Sequence, residues 1–296
     1  MNFSIIIPTY NRKEPLRGCL TSCLKQVYPA HEIIVVDDAS SDDSAGMVLS
    51  EFPAVRLLRL EKNSGPATAR NRGIAAASGD IIAFTDDDCL LPPDFLSRLA
   101  DGYREHPEIA GAGGCLDPPP EFLINNPYAQ YDYYMTHTVY GFGPEPVVGG
   151  LGCPAGGTHS MSYRFRVLAE VGGFDESFPS PGGEDADLKI RVVTRGYDLL
   201  YVPVKVLHRR LYSFGDFWRQ YFSHGRGSPI YRRKHAVTVD RGGGRGFLVR
   251  VLFRGFGLIP DLFRIGPRLT LLKVVAGLAG FAGRVYEQRR RRMPGP

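Results

Sequence analysis

Nowhere does this 296-residue sequence run apolar for the roughly 20 residues that a bilayer-crossing helix needs. Its nearest approach, Leu269 to Gly283, is 15 residues long and includes Lys273. No basic segment followed by an apolar one precedes the first predicted strand at Phe3, so no signal peptide is expected. The GxxxxGK[ST] spacing of a P-loop is missing, which disfavours ATP hydrolysis by that route. Cysteine is sparse, odd in number and scattered: Cys19, Cys23, Cys89, Cys115 and Cys153. Cys19 and Cys23 stand one helical turn apart on a predicted core face, which reads as packing. No zinc-type pairing appears, and the pattern suits a reducing cytosol. Acid is scarce toward the C-terminus, where residues 216–296 hold 17 Lys and Arg against 4 Asp and Glu, a net of +13. The chain total is +5, so residues 1–215 carry −8.

What the sequence does have is acid at the ends of apolar runs. Ile81-Ile82-Ala83-Phe84 leads through Thr85 into Asp86-Asp87-Asp88, and Glu32-Ile33-Ile34-Val35-Val36 into Asp37-Asp38-Ala39-Ser40-Ser41-Asp42. Phe3-Ser4-Ile5-Ile6-Ile7 likewise stops at Pro8-Thr9-Tyr10-Asn11-Arg12. Short β-branched runs of this kind read as buried parallel strands. The helical stretch Glu14 to Gln26 carries Leu16, Cys19, Leu20, Cys23 and Leu24, with Val27 just beyond, at three- and four-residue spacing, the stripe of a helix packed on a sheet. Residues 55–60 predict another strand, and Ala67 to Ala77 another helix. The order β-α-β-α-β-α-β within 90 residues predicts an α/β fold, a mainly parallel sheet flanked by helices with right-handed crossovers. Ligands of such sheets sit at the carboxyl ends of the strands, where three polar clusters now fall together. Adjacent carboxylates repel unless a cation neutralises them, so a hard divalent ion is expected at Asp86-Asp87-Asp88. A solvated acidic turn ahead of Pro92-Pro93 is the alternative.

Five segments in order carry a resemblance. Ser4 to Arg12, Val36-Asp37-Asp38-Ala39-Ser40, Ala69-Arg70-Asn71-Arg72-Gly73, Asp86-Asp87-Asp88, and Gly172-Gly173-Phe174-Asp175-Glu176 with Gly183 to Leu188 resemble the family 2 glycosyltransferases of GT-A, Rossmann-like fold. The resemblance covers roughly residues 2–212. It implies that Pro8, Thr9 and Asp38 lie around a nucleotide base and that Arg70 lies near the nucleotide. Tyr10, Asp87 and Glu184 complete the donor-binding set. Asp86 and Asp88 form the DxD motif, with Asp88 the direct metal ligand. Asp185 takes the position of the catalytic base, and His208 that of a histidine reaching metal or diphosphate. The implied cofactor is Mg²⁺ or Mn²⁺, and the implied donor a UDP-, GDP- or dTDP-sugar. The chain departs from the family at Thr158-His159-Ser160, where an Asn often precedes Met161-Ser162-Tyr163-Arg164.

The chemistry requires these parts in any case. A nucleotide-sugar leaves as a charged diphosphate that a cation stabilises, and the attacking hydroxyl needs one carboxylate base. One base suffices for direct displacement with inversion, whereas glycoside hydrolysis needs two flanking carboxylates. Blander roles remain open for several residues. Glu184, Asp185 and Asp187 would stabilise the first turn of a helix over 184–195, and Asp187 pairs naturally with Arg191 four residues on. His208 beside Arg209-Arg210 would suit a surface position. The Gly-rich stretch 149–158 would let backbone approach a sugar. Tyr128, Tyr131, Tyr133, Tyr134 and Tyr140 fit packing better than sugar stacking. A sugar-nucleotide pyrophosphorylase, the competing enzyme, would show a glycine-rich turn where Pro8-Thr9-Tyr10-Asn11 stands. A non-catalytic glycan- or nucleotide-binding protein of the same fold is the third reading.

Residues 1–215 therefore form the expected catalytic domain and 216–296 a basic, helical appendage. In that appendage Arg alternates with Phe247, Leu248, Val249, Val251, Leu252 and Phe253, and Arg289 to Arg292 closes the run. This pattern predicts amphipathic helices on an anionic membrane surface, peripheral and on the cytoplasmic face, with 269–283 as a candidate embedded segment. The expected acceptor is a glycan or lipid-linked sugar of the cell envelope. No nucleic-acid module accompanies the charge, so nucleic acid is not an expected partner; oligomeric state is open.

Overall fold

The computed structural model describes residues 1–178, 182–210, 212–235 and 260–291. These divide into two compact units. The first comprises Met1–Pro119, Tyr133–Ser177 and Glu184–Arg210; the second comprises Pro120–Asp132, Phe178–Gly183 and Leu211–Pro296.

The first unit is built on one nine-stranded sheet. Its strands are β1 (Phe3–Thr9), β2 (Glu32–Asp37), β3 (Arg56–Arg59), β4 (Ile81–Phe84), β5 (Cys89–Leu90), β6 (Gly111–Asp117), β7 (Val147–Gly149), β8 (Met161–Arg164) and β9 (Leu199–His208). They lie in the order β3-β2-β1-β4-β8-β6-β9-β5, with β7 also paired to β9. β3, β2, β1 and β4 are mutually parallel, and β6 runs parallel to β9; β8, β5 and β7 are reversed. The sheet is thus mixed, in agreement with the α/β expectation and with three strands the other way round.

Strand alternation fills both faces. Ile5, Ile7, Ile33, Val35, Ile81 and Ala83 point into one core with Leu16, Cys19, Leu20 and Cys23 of α1 (Lys13–Leu24). Met47 and Val48 of α2 (Ser44–Glu51) and Leu96, Leu99 and Tyr103 of α4 (Phe95–Glu105) join them. Ile6, Ile34, Val36, Ile82 and Phe84 point into the other core. There they meet Ala67 and Ala69 of α3 (Pro66–Ala76), Leu168 of α7 (Phe165–Val171) and Leu188 and Val192 of α8 (Glu184–Val193). Each fully buried Ile, Leu or Phe contributes about 1.5–3 kcal/mol of apolar transfer, which is why the strands carry no polar alternation. All five cysteines are buried and unpaired, the packing role expected of Cys19 and Cys23.

The second unit holds α5 (Pro120–Leu123), the start of α6 (Pro127–Tyr134), α9 (Phe214–Lys234) and α10 (Gly266–Arg290). Tyr128 and Tyr131 pack on Phe217, and Tyr131 also meets Tyr221, so these rings are core. α9 and α10 approach through glycine: a Cβ on Gly283 would sit 2.0 Å from the Phe222 carbonyl oxygen. Beside this crossing Arg226 Nε meets buried Glu287 at 3.1 Å. α10 is 25 residues long, longer than its charge-poor centre at 269–283, and by length and composition alone it could cross a bilayer. That removes the length argument against a crossing. Of its most apolar 18-residue window, 28% is buried inside the protein. The Arg-apolar run at 247–254 lies outside the described residues.

Candidate active site

The parallel strands bring their carboxyl ends to one edge of the sheet, and the first unit's acids collect there. At the end of β1, Thr9 Oγ1 donates to Asp87 Oδ2 at 2.8 Å, fastening the β1 and β4 ends together. Pro8 is half-buried in the same turn, and Tyr10 is exposed. Asn11 (φ +52°) and Ala39 (φ +63°) both adopt left-handed backbone just past β1 and β2. Asn11 Oδ1 accepts from the Ser41 and Asp42 amides, at 2.7 and 3.2 Å, which clasps the two loops. The Ala39 methyl crowds its own backbone there and offers no hydrogen bond in return, so the loop stores about 1–2 kcal/mol of strain, a usual mark of functional turns.

Asp38 is buried and accepts from the Ser64 and Gly65 amides at 2.7 and 2.8 Å. Its carboxylate thereby fixes the start of α3, the helix that carries Arg70. A Cβ on Gly73 of that helix would fall 2.4 Å from Ile6, so glycine is what lets α3 lie close against the sheet. Buried Arg70 reaches Asp86 Oδ1 with Nη2 at 2.8 Å and Glu184 Oε1 with Nη1 at 3.1 Å, its guanidinium over the Phe174 ring. Its Nε is buried without a hydrogen-bond partner, a donor that a ligand could use.

β5 explains how Asp88 meets His208. Cys89 pairs with His208, the last residue of β9, so Asp88 Oδ1 comes within 3.3 Å of His208 Nε2. His208 is therefore half-buried in the sheet edge and not a surface residue. Arg12 bonds the other oxygen, Asp88 Oδ2, and lies 3.6 Å from Asp87 Oδ1. Burial disfavours the Asp88 anion, but the His208 charge and hydrogen bond, with Arg12, hold this carboxyl well below the usual range. Asp87 moves the other way: burial first, then its acidic neighbours, push it up to about 7 against the pull of Arg12. The middle acid is thus a brace between strands more than a charge.

Asp185 sits in the first turn of α8, where burial raises its pKa; the Arg70 charge opposes the shift and that of Asp86 adds to it. The Ala186 amide donates to its Oδ1 at 2.7 Å. Asp187 is fully buried and pairs with Arg191 at 2.8 Å, the structural role its spacing predicted. Arg191 also donates to the Val171 and Gly173 carbonyls, at 2.7 Å each, and Asn71 grips Phe174 by both its amide and its carbonyl. The Gly172 to Glu176 motif is consequently a clamp that ties α8 to α3, a function the sequence pattern did not disclose. Arg12, visible in the sequence only as part of a motif, is the other residue that sequence reasoning passed over.

A metal is implied here, and the donor chemistry fits one. Asp86, Asp88, Glu184 and Asp185, with half-neutral Asp87, outnumber Arg12 and Arg70, leaving an excess of negative charge. Carboxylate oxygens with one imidazole suit Mn²⁺ or Mg²⁺. Asp88 and His208 are adjacent, whereas Asp86 turns to Arg70, and no three acidic, His or Cys side chains among the described residues converge as a ready nest.

A three-layer α/β fold with an acidic, Arg-bearing carboxyl edge defines the GT-A class of nucleotide-sugar-binding folds. Residues 4–172 match the family model described as Glycosyl transferase family 2, so the chain belongs to glycosyltransferase family 2. It is 31% identical over 252 residues to the pre-mycofactocin glycosyltransferase of Mycobacterium tuberculosis, covering 81% of this chain and 50% of that protein. It is 26% identical over 247 residues to the glucosyl-dolichyl phosphate glucuronosyltransferase of Haloferax volcanii, covering 75% and 76%. The chain thus spans about half of the mycobacterial protein. Among solved structures, the Pyrobaculum calidifontis mannosyltransferase PcManGT, in complex with GDP-Man and Mn²⁺, superposes with a TM-score of 0.64 at 19% identity. That match covers 97% of this chain and 88% of the other. GalNAc-T7 with UDP, GalNAc and Mn²⁺ gives 0.57 at 17% identity, covering 82% and 52%. At these identities the likeness shows the fold.

Proposed function

We propose that this protein is a metal-dependent, inverting glycosyltransferase that moves a sugar from a nucleotide-sugar to an acceptor hydroxyl in cell-envelope glycan or glycolipid synthesis. The convergence of Arg70, Asp86, Asp88, His208 and Asp185 on one sheet edge carries the reading. The base lies against the loops after β1 and β2, near Pro8, Thr9, Tyr10 and Asp38. Arg70, with an unused Nε, steadies the diphosphate, while Asp86 and Glu184 hold the guanidinium in place. Asp88 and His208 are the residues that would hold Mn²⁺ or Mg²⁺. When bound, the cation supplies charge that stabilises the departing diphosphate. Asp185 accepts the acceptor's proton as its oxygen attacks the anomeric carbon, and direct displacement inverts that centre. GDP-Man and UDP in the two solved neighbours support a nucleotide-sugar donor, and their Mn²⁺ supports the metal.

The test is thermal shift against UDP-, GDP- and dTDP-sugars with Mn²⁺ or Mg²⁺. A ligand present at 100 times its Kd stabilises by about 2.7 kcal/mol, so one donor class should raise Tm in a metal-dependent way. Metal-independent silence across all donors refutes the reading. Nucleotide release with and without acceptor then separates transfer from mere binding.

The second unit is proposed to seat the enzyme on the cytoplasmic membrane face. Leu271, Val274, Leu278, Phe281, Ala282 and Val285 repeat along one open face of α10, while Leu272, Ala276, Ala279 and Gly283 are buried. Arg289, on the same face, and Arg290 close an apolar groove formed with Phe222, Phe281, Val285 and Tyr286. An apolar stripe ending in arginine complements an anionic lipid surface, where each nearby cation contributes about 1 kcal/mol. The full chain should therefore co-sediment with anionic vesicles at low salt and partly detach at high salt, leaving a remainder held by apolar insertion. If it stays in the supernatant at low salt, the face is better read as an oligomer interface.

A further inference from the structure

We propose that Phe174 is a positioning residue: its ring sets the tilt of the Arg70 guanidinium and so aims Nε at the donor's diphosphate, while Asn71 holds the ring in place. The proposal rests on the glycosyltransferase reading. The ring's location follows from the end of α7. Gly172 (φ +77°) and Gly173 (φ +66°) are two successive left-handed residues, a turn that L side chains rarely adopt. Their amides close the helix on the Ala169 and Leu168 carbonyls, at 3.3 and 3.0 Å. A Cβ on Gly173 would fall 2.6 Å from Asn71 Oδ1, so glycine is also what lets the turn lie against α3.

Asn71 then grips the next residue as a neighbouring strand would. Its Oδ1 accepts from the Phe174 amide at 2.8 Å, and its Nδ2 donates to the Phe174 carbonyl at 2.9 Å. The same Nδ2 donates to Glu176 Oε1 at 2.8 Å, and Thr68 Oγ1 donates to Glu176 Oε2 at 2.9 Å. With its backbone pinned, Phe174 is only 3% exposed and stands edge-on to Phe84, 5.3 Å between ring centres at 85°. Phe84 lies two residues before Asp86, and Asn71 one residue after Arg70. The ring is therefore fixed by the same strand and helix that carry the two partners of the Arg70–Asp86 pair.

Arg70 needs that support. Asp86 and Glu184 take its Nη2 and Nη1, at 2.8 and 3.1 Å, which anchors two corners of the guanidinium. Two anchors leave the plane free to tilt about the line between them. The Phe174 ring, with its centre 5.6 Å from Cζ, closes one side of that plane and attracts it. Nε is the corner left over, buried and without a hydrogen-bond partner. A buried N–H without an acceptor is costly, which marks this one as held for a ligand. A guanidinium recognises phosphate through bonds in its own plane, so the tilt decides whether Nε can make one. Phe174 has no polar atoms beyond its backbone pair, and Asn71 occupies both, so it acts on the donor through Arg70.

The test is a double-mutant cycle read by calorimetry with Mn²⁺, titrating UDP, GDP and dTDP into wild type, Phe174→Leu, Arg70→Lys and the double variant. Leucine keeps an apolar side chain and removes the ring; lysine keeps the charge and removes the plane. Phe174→Leu should weaken whichever nucleoside diphosphate binds wild type by about fivefold, the scale of one desolvated cation–π contact. In the Arg70→Lys background the same change should move affinity by less than about twofold, while lowering Tm as much as it does in wild type. Asn71→Ala, which leaves the ring and frees its backbone, should give the same pattern, and its cycle with Arg70→Lys decides the matter if Phe174→Leu does not fold. Equal weakening in both backgrounds, or none in either, overturns the proposal and leaves the transferase reading standing. Wild type that binds none of the three nucleotides overturns both.

Discussion

Asp88→Ala is expected to lower transfer by at least about 10²- to 10³-fold, the scale for removing one preorganised stabiliser of developing charge. The residue is buried, ionised by His208 and Arg12, and placed at the end of the strand that carries the family's acid motif. Alanine leaves His208 alone to hold a cation and frees Arg12 from its partner. Manganese binding, followed by electron paramagnetic resonance, should weaken in step with activity, and nucleotide binding should lose its metal dependence. Full activity of metal-stripped enzyme in EDTA would sink the assignment.

Asp185→Asn is expected to leave donor affinity within about twofold while turnover drops about 10²-fold or more, the scale for loss of a general base. Asparagine keeps the shape and still accepts the Ala186 amide, but takes no proton. A pH profile adds a second signature. Burial raises the Asp185 pKa, so the base form is complete above that raised value and is lost as pH falls through it. Wild-type turnover should therefore decline on the acid side at a higher pH than an ordinary aspartate would allow, and the variant should lack that limb. If donor affinity collapses and the residual rate does not, Asp185 binds donor and another group is the base.

The sheet and the strand ends were legible because they rest on local signals. The runs at Phe3, Glu32 and Ile81 are buried on both faces, so continuous apolar sequence marked them, and acids marked where burial stopped. The α1 stripe of Leu16, Cys19, Leu20 and Cys23 needed only a periodicity of 3.6. Reversed strands were illegible because direction is a tertiary property. Nothing in Met161 to Arg164 says that it pairs antiparallel with β4. Arg12 escaped for a similar reason, since its partner lies 76 positions away. The Gly172 to Glu176 motif was seen but not understood, because its Asn71 and Arg191 bonds close only after folding.

The five buried thiols bear on how this enzyme can be watched. Cys19, Cys23, Cys89, Cys115 and Cys153 are each at most 2% exposed. Burial raises the thiol pKa of Cys89 and Cys153, and that of Cys115 to about 11, which suppresses the nucleophilic thiolate. The native chain therefore offers almost no background to maleimide reagents. A single cysteine introduced at exposed Tyr10 or Tyr286 would carry a fluorophore alone, one reporting on the loop after β1, where the donor is proposed to bind, and the other on α10, with every native cysteine left in place.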